Sequence, residues 1–161
     1  MSKIKELLTN KDSILVFDID GVLALMEMGE YNHYRFVDSE WNRECEAGRN
    51  YYNEDVVCHK LVEFLKNKNM NNIYVITNIG NKNEAEFKKE FCNKYYNIKK
   101  ENVYCVEKNK QKKEALKKIK EKYPDIDDHK IVMIDDTLDI LNDVMENTNF
   151  STAHISSFLD L

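Results

Sequence analysis

Five short runs in this chain are apolar without alternation: Ile14–Asp18, Ile73–Thr77, Val103–Val106, Ile131–Ile134 and, more weakly, Thr152–Ile155. A strand with one wet face alternates apolar and polar side chains, whereas a strand covered on both faces does not need to. Runs of this length and texture read as parallel strands buried between two layers. The intervening segments supply the layers. Val57, Leu61, Phe64 and Leu65 fall on one helical face, as do Phe87, Phe91 and Tyr95. Leu116, Ile119 and Tyr123 form a third stripe, and Leu138, Leu141 and Met145 a fourth. The alternation predicts an α/β fold: a doubly wound, mostly parallel five-stranded sheet with helices on both faces. A chain of 161 residues suits one domain spanning 1–161, and no repeat or linker interrupts it.

The segment from Ala24 to Asn53 has no clear period. It holds the only tryptophan, Trp41, with Tyr31, Tyr34, Tyr51 and Tyr52, and all the arginines, Arg35, Arg43 and Arg49. A loop this long inside a compact domain is functional or disordered, and the aromatic content argues against disorder.

Composition narrows the class. Charged residues make up 33% and apolar or aromatic residues 42%, the balance of a soluble globular protein. No apolar run approaches the ~20 residues of a membrane span, and "MSKIKELLTN" has no signal-peptide core. Cys45, Cys58, Cys92 and Cys105 are scattered and form no C-x-x-C pair, so neither zinc nor a disulfide framework is indicated. A reducing cytoplasm is the expected location. The net charge of −5 weighs against nonspecific nucleic-acid binding.

Against this background the acids stand out. In open α/β sheets, ligands bind beyond the carboxyl ends of the strands. Asp18 and Asp20 stand at such an end in "FDIDGVL", Thr77 in "VITN", and Asp135 and Asp136 in "VMIDD". If these strands are neighbours, up to four carboxylates converge. Like charges that close repel by several kcal/mol, on the order of what Coulomb's law gives at an intermediate dielectric. Protons or a cation must then be present, and oxygen ligands favour Mg²⁺. A lone Asp after a strand commonly serves a turn or caps a helix, and Asp136 or Thr137 could cap the helix carrying Leu138. The three motifs together, in this order, are poorly explained that way.

These motifs resemble those of the haloacid dehalogenase-like superfamily of aspartate-nucleophile phosphatases. "FDIDGVL" resembles its first motif, "VITN" its second and "VMIDD" its fourth. The third is a lysine near a helix start. "KNKQKKEAL" offers Lys108, Lys110, Lys112 and Lys113; Lys112 is favoured because it precedes Leu116 by one helical turn. The resemblance implies Asp18 as nucleophile and Asp20 as general acid and base, with its backbone carbonyl on Mg²⁺. It implies Thr77 and the amide of Asn78 as phosphoryl holders, and the lysine as a counter-charge. Asp136 would bind the metal, Asp135 would bind or orient a metal water, and Gly21 would let the backbone approach the phosphate. An acid at Asp20 implies phosphatase or mutase chemistry, and the chain has no room for the full cap of a mutase.

A minimal cap leaves an open site. The expected substrate is a small phosphorylated metabolite or nucleotide; a polynucleotide end is the alternative. Arg35, Arg43 and Arg49 suit bidentate phosphate contacts, and the nearby aromatics could stack on a base or pack the loop. A phospho-accepting receiver domain would instead carry its acceptor Asp after the third strand, where this chain reads "EKN".

Overall fold

The computed structural model describes residues 2–25, 37–54, 56–159 and 161. Its strands are β1 (Ile14–Phe17), β2 (Ala24–Leu25), β3 (Val56–Val57), β4 (Ile73–Asn78), β5 (Val103–Val106), β6 (Ile131–Asp135) and β7 (Ser151–His154). Its helices are α1 (Lys3–Thr9), α2 (Asp38–Glu46), α3 (His59–Leu65), α4 (Lys82–Tyr96), α5 (Lys112–Glu121) and α6 (Leu138–Asn147). Among the described residues, five strands form one all-parallel sheet in the order β5-β4-β1-β6-β7, and β2 pairs antiparallel with β3. The fold is the doubly wound α/β class. No helix of the described residues is long and apolar enough to cross a membrane.

The unbroken apolar texture of β1 has a direct cause. Successive side chains point to opposite faces, and both faces are covered. Leu15 and Phe17 join a cluster with Leu61, Leu65, Phe91 and Tyr96 of α3 and α4. Ile14 and Val16 join another with Leu116, Ile119, Leu141 and Val144 of α5 and α6. All four β1 residues are fully buried. The chain runs from β1 outward to β4 and β5, then returns to place β6 on the other side of β1. This reversal beside β1 is the switch point where open sheets bind ligands.

Local chemistry sets the ends. After Ile19 the amides of Val22, Leu23 and Ala24 all turn back onto its carbonyl. Gly21 sits at φ +77°, a conformation that side chains disfavour. The side chain of Asn81 caps α4 by accepting from the Glu84 amide at 2.9 Å, and α4 ends at Asn97 in the left-handed region.

Several details differ from the sequence reading. Val57 lies in β3, paired with Ala24, and not on the face of α3. The last strand begins one residue earlier than expected and ends at His154. Tyr123 lies just past α5, where its hydroxyl meets that of Tyr74 at 2.9 Å. The aperiodic segment contains β2, α2 and a short 3-10 turn at Tyr51–Asn53. Helix α2 buries little beyond Trp41 and Cys45, so it leaves no wide apolar stripe to read. Trp41 stacks on Tyr51 at 4.7 Å and meets Tyr52 edge-on at 5.8 Å.

Helix α6 is turned from the expected face. Ile140, Leu141 and Val144 are buried, while Leu138 and Met145 are 63% and 57% exposed. Its apolar residues permit two overlapping stripes, and only one can face the sheet. Leu138 opens the helix just past the end of β6. Leu141→Ala should therefore cost about 2–5 kcal/mol, and Met145→Ala under about 0.5 kcal/mol, in urea denaturation. The reverse ranking would restore the expected face.

Candidate active site

The register of the sheet brings the acids together. Phe17 lies opposite Val75 on β4 and Ile134 on β6. One residue on, Asp18 leaves β1 level with Asp135, its amide donating to the Ile134 carbonyl at 2.9 Å. Thr77 and Asn78 close β4 on the opposite side. Carboxylate oxygens of Asp18, Asp135 and Asp136 lie within 4.8 Å of one another. Asp18 and Asp135 are buried, while Asp136 is exposed.

Lys112 meets this group from the start of α5. Its Nζ is 2.9 Å from Asp18 Oδ2 and 2.9 Å from Asp135 Oδ2. Of the four lysines in that stretch, it alone is buried; Lys108 and Lys110 are exposed, and Lys113 pairs with Asp143. Gln111 shapes the entry to α5, its side-chain oxygen accepting from the amides of Glu107 and Lys108 at 3.0 and 2.9 Å.

One ammonium is thus shared between two buried carboxylates. Burial pushes the Asp18 carboxyl up to about 6; Lys112 opposes this, and Asp135 and Asp20 add to it. Burial works against the Lys112 ammonium, but Asp18 and Asp135 outweigh it and hold Lys112 above its ordinary value. Asp136 is also raised, by burial first, with Thr137 opposing and Asp135 adding. The second oxygen of Asp135 accepts from the Thr137 amide at 2.9 Å, just ahead of α6. Asp18 Oδ1 is buried and has no hydrogen-bond partner among the described residues.

The donor set and its surroundings suit a hard cation. Asp18, Asp135 and Asp136 supply only oxygen ligands, and Asp18 Oδ1 is uncommitted. Gly21 packs onto the third acid: a Cβ there would lie 2.3 Å from Asp136 Oδ2. Any side chain at this position would displace the carboxylate.

Asp20 does not join the cluster with its carboxylate. Its Oδ1 accepts from the Tyr52 hydroxyl at 2.9 Å, and its Oδ2 from Lys88 Nζ at 2.8 Å. The four converging carboxylates expected from sequence are therefore three, because a second buried ammonium draws the fourth away. Lys88 is 1% exposed and also meets Glu84 Oε1 at 3.0 Å, Thr77 Oγ1 at 3.2 Å and the Asn78 carbonyl. Glu84 Oε2 in turn accepts from the Gly80 amide at 2.7 Å. Sequence reading missed Lys88, Glu84 and Tyr52. Glu84 and Lys88 have the spacing of an ordinary solvent-facing helical pair, and nothing local marks them as buried.

The remaining predicted residues are placed as follows. The Asn78 side chain bonds that of Asn109, while its Oδ1 is buried without a partner among the described residues. Arg43 pairs with Glu44 and Glu40. Arg49 pairs with Glu54 and lies over the Tyr51 ring at 4.3 Å. These contacts are with the residues' own segment and not with the carboxylate cluster. Arg35 lies outside the described residues. No protein-family model matches the chain, and no curated protein matches it.

The raised carboxyl of Asp18 makes stability depend on pH. Its folded value, about 6, exceeds the 3.8 of an ordinary aspartate in water, so the contribution is full below about 4 and lost as the pH rises through 6. Asparagine cannot ionise. In metal-free buffer Asp18→Asn should match the native chain near pH 4 and exceed it at pH 8 by on the order of 1–3 kcal/mol. Denaturation at the two pH values checks this, and a variant less stable at pH 8 would contradict it.

Proposed function

We propose that this chain is a Mg²⁺-dependent phosphomonoester hydrolase of the haloacid dehalogenase-like kind, working through an aspartyl-phosphate on Asp18. The observation that carries the reading is the state of that side chain. Asp18 directly follows the central strand, one oxygen is held by Lys112, and the other is buried with no hydrogen-bond partner among the described residues. A structural carboxylate would have both oxygens satisfied; a nucleophile needs one free.

The roles follow from position. Asp18 attacks phosphorus and so divides one difficult hydrolysis into two displacements. Lys112 offsets charge on Asp18 and the phosphate oxygens. Thr77 and the amide of Asn78 flank the transferring group. Asp20 exchanges a proton with the leaving and attacking oxygens. Asp18, Asp135 and Asp136 would hold Mg²⁺, which when bound neutralises phosphate charge. The substrate is a small phosphorylated metabolite or nucleotide; the acidic net charge favours this over a polynucleotide end. Cys45, Cys58, Cys92 and Cys105 are free thiols, which supports a reducing compartment such as the cytoplasm.

The test is hydrolysis of a panel of phosphomonoesters, with 3′- and 5′-phosphorylated oligonucleotides included. Turnover should require Mg²⁺ and stop in EDTA. Asp18→Asn should lose on the order of a thousandfold or more in kcat, and Asp136→Ala should need far more Mg²⁺. Turnover undiminished in EDTA would remove the metal from the account. Activity retained by Asp18→Asn would remove the nucleophile.

A further inference from the structure

We propose that Lys88 and Tyr52 are positioning residues that fix the Asp20 carboxylate for proton transfer. This role rests on the phosphatase reading above. Each donor takes one oxygen: the Tyr52 hydroxyl holds Oδ1 at 2.9 Å, and Lys88 Nζ holds Oδ2 at 2.8 Å. A carboxylate held at one oxygen can swing about that bond. Held at both, from two separate elements, it turns only by breaking one.

The donors are themselves fixed. Lys88 projects from α4 and is anchored by Glu84, Thr77 Oγ1 and the Asn78 carbonyl. Tyr52 belongs to the 3-10 turn at Tyr51–Asn53, and its ring is wedged between Trp41 at 5.8 Å and Phe91 at 5.7 Å. A lysine serving only the stability of α4 would be satisfied by Glu84, one turn away. Lys88 instead ties the end of β4 to the residue two beyond the nucleophile.

The two donors also differ in kind. An ammonium only donates, whereas a phenol hydroxyl donates or accepts. When Asp20 is protonated, Oδ1 is therefore the oxygen that carries the proton, since the neutral phenol tolerates it there, and Oδ2 stays with Lys88. In the first step Asp18 forms a bond to phosphorus as the ester P–O bond breaks. The electron pair leaves with the ester oxygen, which takes the Asp20 proton and departs as the alcohol. In the second step water attacks phosphorus and gives its proton to Asp20. The bond to Asp18 breaks, phosphate is released and both carboxyl groups are restored.

The need for this proton depends on the leaving oxygen. An alkoxide must be protonated as it leaves, while a nitrophenolate leaves unaided. That contrast separates positioning from mere support of the fold. Tyr52→Phe, and the paired Glu84→Gln/Lys88→Met that removes both buried charges together, should be assayed with Mg²⁺ on an alkyl phosphate and on para-nitrophenyl phosphate. Because kcat/KM covers the steps through phosphoryl transfer, it reports the acid. Misplacing a catalytic group by about 1 Å can cost on the order of a hundredfold. A loss of that order is expected on the alkyl ester, with the nitrophenyl ester changed far less. An equal loss on both esters, or none on either, overturns the positioning role while leaving the phosphatase reading intact. A native chain that hydrolyses no phosphomonoester overturns that reading, and this role with it.

Discussion

A single ammonium, that of Lys112, lies between two carboxylates that the fold has taken out of water. Asp18 and Asp135 are brought side by side because β1 and β6 are neighbours in register, and both are buried because helices cover both faces of the sheet. One positive charge cannot compensate two negative charges in that setting. Burial, with Asp135 and Asp20 adding to it, pushes the Asp18 carboxyl up to about 6 against the pull of Lys112. The net worth of such a buried cluster to stability is small. The arrangement makes sense as a place prepared for charge that arrives from outside.

Lys88 shows what a satisfied version looks like. It too faces two carboxylates, Asp20 and Glu84, but every group has partners. Glu84 is tied to the Gly80 amide and Asp20 to Tyr52. One cluster is closed, and the other leaves Asp18 Oδ1 without a hydrogen-bond partner among the described residues. In the proposed mechanism the asymmetry matches a division of labour: Asp18 attacks, and Asp20, held at both oxygens, moves protons.

The sheet was legible because burial on both faces writes itself into the strands. Ile14 to Phe17 must all be apolar, and no other common element of that length demands it. The strand-terminal acids were legible for a related reason, since a charged residue closing such a run has no packing purpose. Lys112 could be chosen among four lysines from its spacing to Leu116. Lys88 could not, because a partner that satisfies it is Asp20, 68 residues away along the chain. The face of α6 was ambiguous because Leu138 and Met145 extend its apolar stripe without being needed by it. Segment 24–53 hid α2 for the opposite reason, a helix that buries too little to leave a period.

The account turns on whether Asp18 takes a phosphoryl group. The most direct measurement is acid quenching of the chain during turnover of an active phosphomonoester with Mg²⁺, followed by peptide mass mapping. A phosphoryl adduct on Asp18, released by hydroxylamine and absent from Asp18→Asn, is the predicted result. Release of phosphate with no adduct on Asp18, or an adduct on another residue, would contradict it.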